Sequence, residues 1–262
     1  MKIYSGFESL AQENYEPKRI VSLVPSLTEF LLELGFEKRL VGRTLYCERP
    51  VDLVESIAVV GGTKKISVKK VLELKPDLVL AQKEENDRAQ VEEIAQTVPC
   101  VVSEIDTVDS FVSYVSDFAS LFYEPLVQDF YLEIMNLRDQ CKKSDRKYSR
   151  CLYFIWKEPW MVAGKGTYID SVMNLAGFEN ALSDSRYPVL NWEEIQELSP
   201  DLVLLSSEPY SFNESHLNWF QRNLESARIE LVDGRFYSWY GYASLQCLRS
   251  LNAGSVFARV LS

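Results

Sequence analysis

The sequence predicts an α/β protein of two Rossmann-like lobes with parallel sheets, joined by one long backbone α-helix. Three observations carry this. Val71 to Ala81 reads VLELKPDLVLA and Ile195 to Leu205 reads IQELSPDLVLL, so Glu, Leu, Pro, Asp, Leu, Val and Leu recur in one register. Gly35-Phe36-Glu37 and Gly177-Phe178-Glu179 each close a helical pattern and each precede their own copy of that motif, which makes chance a poor explanation. Between the copies, Phe111, Val115, Phe118, Phe122, Leu126, Phe130, Ile134 and Leu137 recur every three or four positions, a helical period too sustained for a strand. The expected division is a first lobe at 1–107, a linking helical segment at 108–146 and a second lobe at 147–262.

Taken in order, Arg19 to Val24 is a short apolar run suited to a buried parallel strand, and Ser26 with Glu29 reads as a capping box opening a helix. Leu40–Thr44 and Ala58–Val60 are further short strands, separated and followed by the loops Tyr46–Pro50 and Gly61–Lys64. Ser67–Leu74 is helical, Asp77–Gln82 a strand, Asp87–Gln96 a helix and Cys100–Ile105 a strand. Pro125 removes one ladder hydrogen bond, so the linking segment divides into a helix ending near Tyr123 and one beginning at Pro125. The second runs to about Cys141, roughly 26 Å at 1.5 Å per residue, and reads as a rigid spacer. Lys142–Arg150 is a charged connector, Cys151–Trp156 a strand, and Thr167 caps the next helix with Asp170 as its box partner. Gly164-Lys165-Gly166-Thr167 lacks P-loop spacing and the third glycine of a dinucleotide fingerprint, so a tight turn and a cap account for it. Trp192–Leu198 is helical, Asp201–Ser206 and Ile229–Val232 are strands, and Ala243–Leu261 closes the chain as a helix.

Composition narrows the function. The 262 residues carry a formal charge of −10 and no Lys/Arg-rich block, which argues against a nucleic-acid partner. No stretch is apolar enough to cross a bilayer. The first nineteen residues are polar and acidic where a secretory signal carries an apolar core, and five cysteines without paired spacing point to reduced thiols. The expectation is therefore a cytoplasmic monomer, with a periplasmic protein or lipoprotein whose signal was removed as the alternative. A metal site is not expected, because the single histidine, His216, stands in a polar segment read as surface. Catalysis is not expected either: there is no G-x-S-x-G elbow and no HExxH.

Parallel sheets bind ligands beyond the carboxyl ends of their strands, and two such lobes facing each other define a cleft. The first lobe offers Tyr46, Glu48, Arg49, Thr63, Lys64, Lys83 and Glu84 there, and the second Trp156, Trp160, Ser207, Glu208, Tyr210, Trp239 and Tyr240. All but Glu48 and Glu84 are ligand-binding candidates. Aromatic walls with a few charged groups suit a flat, partly apolar molecule such as a tetrapyrrole or an aromatic metal chelate. The loops carrying Trp156 and Trp160 on one side and Trp239 and Tyr240 on the other should converge.

Five stretches, RIVSLVPSLTEFLLELG (19–35), VGGTKKISVKKVLELKPDLVLA (60–81), WKEPWMVAGKGTYIDSVMNLAGFENAL (156–182), ELSPDLVLLSSEPY (197–210) and VDGRFYSWYG (232–241), resemble the helical-backbone substrate-binding proteins of vitamin B12 and siderophore ABC importers. The last four resemble most a cobalamin-binding-like branch whose members commonly lack signal peptides. The resemblance implies a bilobal binding protein, not an enzyme. Its ligand would be a non-covalently held corrinoid such as cobalamin, a haem-like tetrapyrrole or a metal chelate, and its role that of a cytoplasmic carrier or sensor. The importer component outside the membrane, or an enzyme acting on such a ligand, are the alternatives. It also implies an acidic residue on each lobe that docks onto permease arginines. Glu193 matches the second-lobe position, but Lys69 occupies the first, and the reversed charge opposes docking. Where the branch often has Ser-Arg after SWYG, this chain has Tyr242-Ala243.

Overall fold

The computed structural model describes residues 2–142 and 149–255. In chain order its elements are β1 (Ile3–Tyr4), α1 (Glu8–Gln12), β2 (Ile20–Ser22), α2 (Pro25–Glu33), β3 (Leu40–Arg43), α3 (Val51–Val54), β4 (Ala58–Val59), α4 (Val68–Glu73), β5 (Leu78–Gln82), α5 (Arg88–Ile94), β6 (Cys100–Ser103), α6 (Val108–Leu121) and α7 (Pro125–Lys142). There follow β7 (Ser149–Trp156), β8 (Trp160–Val162), α8 (Tyr168–Leu175), β9 (Phe178–Asn180), β10 (Val189–Leu190), α9 (Trp192–Leu198), β11 (Leu202–Ser206), α10 (Glu214–Asn223), β12 (Arg228–Val232), α11 (Gly234–Ser238) and α12 (Tyr242–Asn252). The predicted α/β class holds. The chain folds as two compact units: unit 1 holds Met1–Ile105, Asp109–Met135 and Tyr240–Tyr242, and unit 2 holds Asp106–Val108, Asn136–Trp239 and Ala243–Ser262. One boundary thus falls inside α7, between Met135 and Asn136, while the expected boundary at 146/147 lies outside the described residues.

Unit 1 contains a sheet of order β1-β6-β5-β2-β3-β4 in which every neighbouring pair is parallel. Its central strands β2 and β5 are buried along their whole length because both faces are covered. On one face Val21, Leu23, Val71, Val79, Val91 and Ile94 form a core with α4 and α5. A separate cluster of rings gathers Phe7, Phe30, Phe36, Phe111, Phe118, Phe122 and Phe130 from the N-terminus of α1, α2 and the turn after it, α6 and the residue after it, and α7. The period of α6 is realised in full, with Phe111, Val115, Phe118 and Phe122 all buried. Beyond Pro125 only the first position falls out of step: Leu126 is 57% exposed and Val127 fully buried in its place, where the proline starts a new helix, while Phe130 and Ile134 are buried as expected.

Unit 2 has a sheet of order β10-β8-β7-β11-β12, with β9 also on β7. It departs from the expected parallel sheet in β8 alone, which pairs antiparallel with β7 and with β10. The turn of Lys157 to Pro159 folds Trp160 straight back on β7, so a stretch read as loop becomes a hairpin.

The repeated motifs turn out to be folding signals. Asp77 accepts hydrogen bonds from the backbone N–H of Lys18 and Arg19, both 2.8 Å, and Asp201 accepts one from Arg150, also 2.8 Å. Each aspartate therefore clamps the entry to the neighbouring strand, β2 or β7. Gly35 and Gly177 adopt φ of +81° and +84°, the left-handed stop that a side chain would strain, and at Gly35 two backbone bonds complete a Schellman ending.

Several local expectations are corrected. Helix α2 begins at Pro25 with Val24 as its N-cap and no side-chain cap, so Ser26 opens nothing. Thr167 does cap α8, but Asp170 turns its carboxylate to Asn180 instead of completing the box. The closing helix stops at Asn252, where Gly254 and Ser255 donate back to Leu251 and Ser250; its expected extension over 256–261 lies outside the described residues, as do 143–148 of the charged connector. The five cysteines are buried and free.

Candidate functional site

In unit 1 the parallel strands end on one edge, which carries the loops after β3, β4 and β5. Tyr46 projects there with 55% of its surface exposed, its ring lying against Gly62, whose missing Cβ would stand 3.3 Å from it. Below Tyr46, Cys47 is buried with its Sγ 3.1 Å from Thr28 Oγ1 and 3.2 Å from Thr44 Oγ1, which fixes the loop from beneath. Arg49 is exposed and makes no hydrogen bond or ion pair among the described residues. Asn86 binds three segments together: it donates to the carbonyls of Leu23 (3.0 Å) and Thr63 (3.1 Å) and accepts from Gln82 N–H (2.8 Å). Lys64 donates to the Glu84 carbonyl at 2.6 Å, and Lys83 pairs with Glu104 at 2.6 Å. Thr63 is half-buried.

Beside Lys64 lies a group the sequence did not single out. Glu85 is half-buried, and its carboxyl is pushed up to about 7 by burial, against the opposing pull of the Tyr240 hydrogen bond and the Lys64 charge. Tyr240 donates its hydroxyl to Glu85 Oε1 at 3.4 Å and packs its ring 6.1 Å from Phe111. It is buried within unit 1, apart from its chain neighbour Trp239 in unit 2. A carboxyl whose folded value is raised binds more protons folded than unfolded, so its stabilising contribution is complete below about 4.5 and is lost as the pH rises through about 7. Thermal melts of the wild type and Glu85→Gln at pH 5 and pH 8 should therefore diverge, with the wild type losing more stability at pH 8. Parallel pH profiles for the two proteins would refute the raised carboxyl.

In unit 2 the ends of β7 and β11 carry the aromatic candidates. Trp156 closes β7 at 40% exposure, its ring edge-on to Tyr210 at 5.6 Å. Trp160 is half-buried among Phe154, Trp192, Trp219 and Phe220, and stacks on Trp219 at 5.6 Å with 26° between the planes. A cavity of about 410 Å³ opens here, lined by Lys157, Glu158, Trp160, Ser215, His216 and Trp219. His216 is not the free surface residue expected: it is half-buried, accepts from Asn213 N–H through Nδ1 (3.2 Å) in the capping box of α10, and meets the Tyr210 hydroxyl at Nε2 (3.2 Å). Burial first and the Lys157 charge second lower its proton affinity, so the ring is neutral at pH 7.

The remaining candidates are tied into the fold. Ser207 Oγ accepts from Gly234 N–H at 2.9 Å, and the half-buried Glu208 accepts at its carbonyl from Ser206. Trp239 follows α11 half-buried and shares no ring contact with Trp156 or Trp160 among the described residues. Trp219 escaped the sequence reading, and His216 was read only as surface, because 211–228 carried no assigned element. The signal was Asn213 followed at the third position by His216, a cap and its partner.

A model of the periplasmic binding protein family matches residues 20–229. The chain belongs to that family. Among its periplasmic binding protein relatives, the vitamin B12-binding protein of Pectobacterium carotovorum subsp. carotovorum (strain PC1) is 25% identical over 201 residues, covering 74% of this chain and 72% of the relative. The structure of the periplasmic vitamin B12 binding protein BtuF of Vibrio cholerae superposes with a TM-score of 0.75 at 21% identity, over 90% of this chain and 96% of that one. A periplasmic heme binding protein from Pseudomonas aeruginosa gives 0.74 at 22% identity, over 94% and 95%. The family implied by the five sequence stretches, and the two-lobe fold it carries, are therefore borne out.

Proposed function

We propose that this chain is the extracytoplasmic substrate-binding component of an importer, and that its ligand is a planar metal macrocycle, a corrinoid in the first instance. The observation that carries the reading is the similarity, over about three quarters of the chain, to proteins named for vitamin B12 binding. The exposed rings of Tyr46 and Trp156 supply surfaces of the kind such a ligand packs on, while Arg49 and Lys64 supply cationic groups for its polar margin. Haem is the second reading, supported by the fold shared with haem-binding relatives. The cytoplasmic carrier expected from the polar N-terminal residues gives way, since the relatives named above are described as periplasmic or as binding vitamin B12.

Delivery to a permease belongs to this reading. Lys69 is exposed in α4 with Glu73 as its i,i+4 partner at 3.8 Å, whereas Glu193 is exposed in the first turn of α9. A partner facing both would have to present opposite charges to them. Calorimetric titration of the purified protein with cyanocobalamin and with haemin should give saturable binding of at least one, with the corrinoid tighter. Absence of binding to either would overturn the proposal.

A further inference from the structure

The cavity in unit 2 has a composition that selects among ligands. Its floor is the stacked pair Trp160 and Trp219, and Trp219 remains 36% exposed. Several of its polar atoms already have partners. Lys157 pairs with Glu158 at 3.4 Å, Ser215 donates to Asn213 at 2.6 Å, and both ring nitrogens of the neutral His216 are engaged. A sugar needs several polar partners around an aromatic platform, and an anion needs an unbalanced cation; here Lys157 is balanced by Glu158 and both nitrogens of His216 are taken, so the aromatic face is the dominant feature. It offers a face on which a flat ring extends an existing stack. At about 410 Å³ it sits near the lower end of the range for ligand pockets, with room for one ring system and not for a corrin macrocycle.

Resting on the corrinoid reading above, we propose that this pocket is a subsite for an uncharged bicyclic heteroaromatic base, the group that a complete cobalamin carries on its nucleotide arm and that cobinamide and haem lack. The pocket is then what separates complete corrinoids from incomplete ones and from porphyrins. Trp219 is the stacking residue, and the Lys157–Glu158 pair at the rim keeps the site neutral overall.

The test titrates the full chain with cyanocobalamin, dicyanocobinamide and free 5,6-dimethylbenzimidazole, following heat and tryptophan fluorescence. The wild type should bind cobalamin at least tenfold tighter than cobinamide. Trp219→Ala should close that gap while leaving cobinamide affinity unchanged, and Trp219→Phe, which keeps a stacking ring, should retain most of it. The phenylalanine variant also decides the matter if thermal melts show that the alanine variant does not fold. Equal affinity of the wild type for the two corrinoids, or an equal loss of both in Trp219→Ala, would overturn the subsite. Should neither corrinoid bind, the corrinoid reading fails and the free base alone decides the pocket. Quenching that disappears in Trp219→Ala supports it, and no quenching overturns it.

Discussion

Phe118→Ala should destabilise unit 1 by about 3–5 kcal/mol, the range for truncating a fully buried phenylalanine. The ring touches four others, Phe7, Phe30, Phe36 and Phe122, at centroid distances of 5.3, 5.3, 5.5 and 4.6 Å, so its removal leaves a cavity walled by rigid aromatics that cannot collapse to fill it. Urea unfolding monitored by circular dichroism would show the midpoint falling. A loss under 1 kcal/mol would mean that the cluster repacks and that its edge-to-face geometry contributes little.

Asn86→Ala should be the next most damaging change, at about 2–4 kcal/mol, because it strands the buried Gln82 N–H and Leu23 carbonyl and frees the part-buried carbonyl of Thr63. It should also weaken capture of cyanocobalamin, since the loops after β2, β4 and β5 lose their common tie. Stability and affinity measured on the same preparation would separate the two effects. Unchanged affinity in the destabilised but folded variant would show that those loops hold their shape without it.

The sequence was most readable where one segment obeys one rule. The long period of α6, the proline that restarts the helix, and the two Pro-Asp strand entries all follow from neighbours in the chain, and each element forms within a residue or two of where it was expected. Legibility failed where the deciding partner is distant or the element is short. Three residues of β8 carry too little pattern to announce a hairpin, and α10 reads ESHLNWFQRN, with only Leu217 and Phe220 turned to the core and the rest polar or at the surface. Tyr240 looked like one more ring of an aromatic run, yet its hydroxyl answers to a carboxyl 155 positions earlier, which no local period encodes. The unit 2 pocket was half visible for the same reason: Trp160 lay in a conspicuous motif, whereas Trp219, its stacking partner, arrives on a helix that was not foreseen.

The interleaving of the two units bears on how this protein came about and how it can be taken apart. Two self-sufficient pieces joined end to end would each keep their own core, as the repeated strand entries taken alone would suggest. Unit 1, however, now borrows Asp109–Met135 and Tyr240–Tyr242 from later in the chain. A gene fragment encoding residues 1–105 would make the Phe7, Phe30 and Phe36 rings without the Phe111, Phe118, Phe122 and Phe130 rings that cover them. Neither half of the chain is thus an independent unit of inheritance, and recombination that swaps one half between relatives would have to carry α6, most of α7 and the Tyr240 segment along with it.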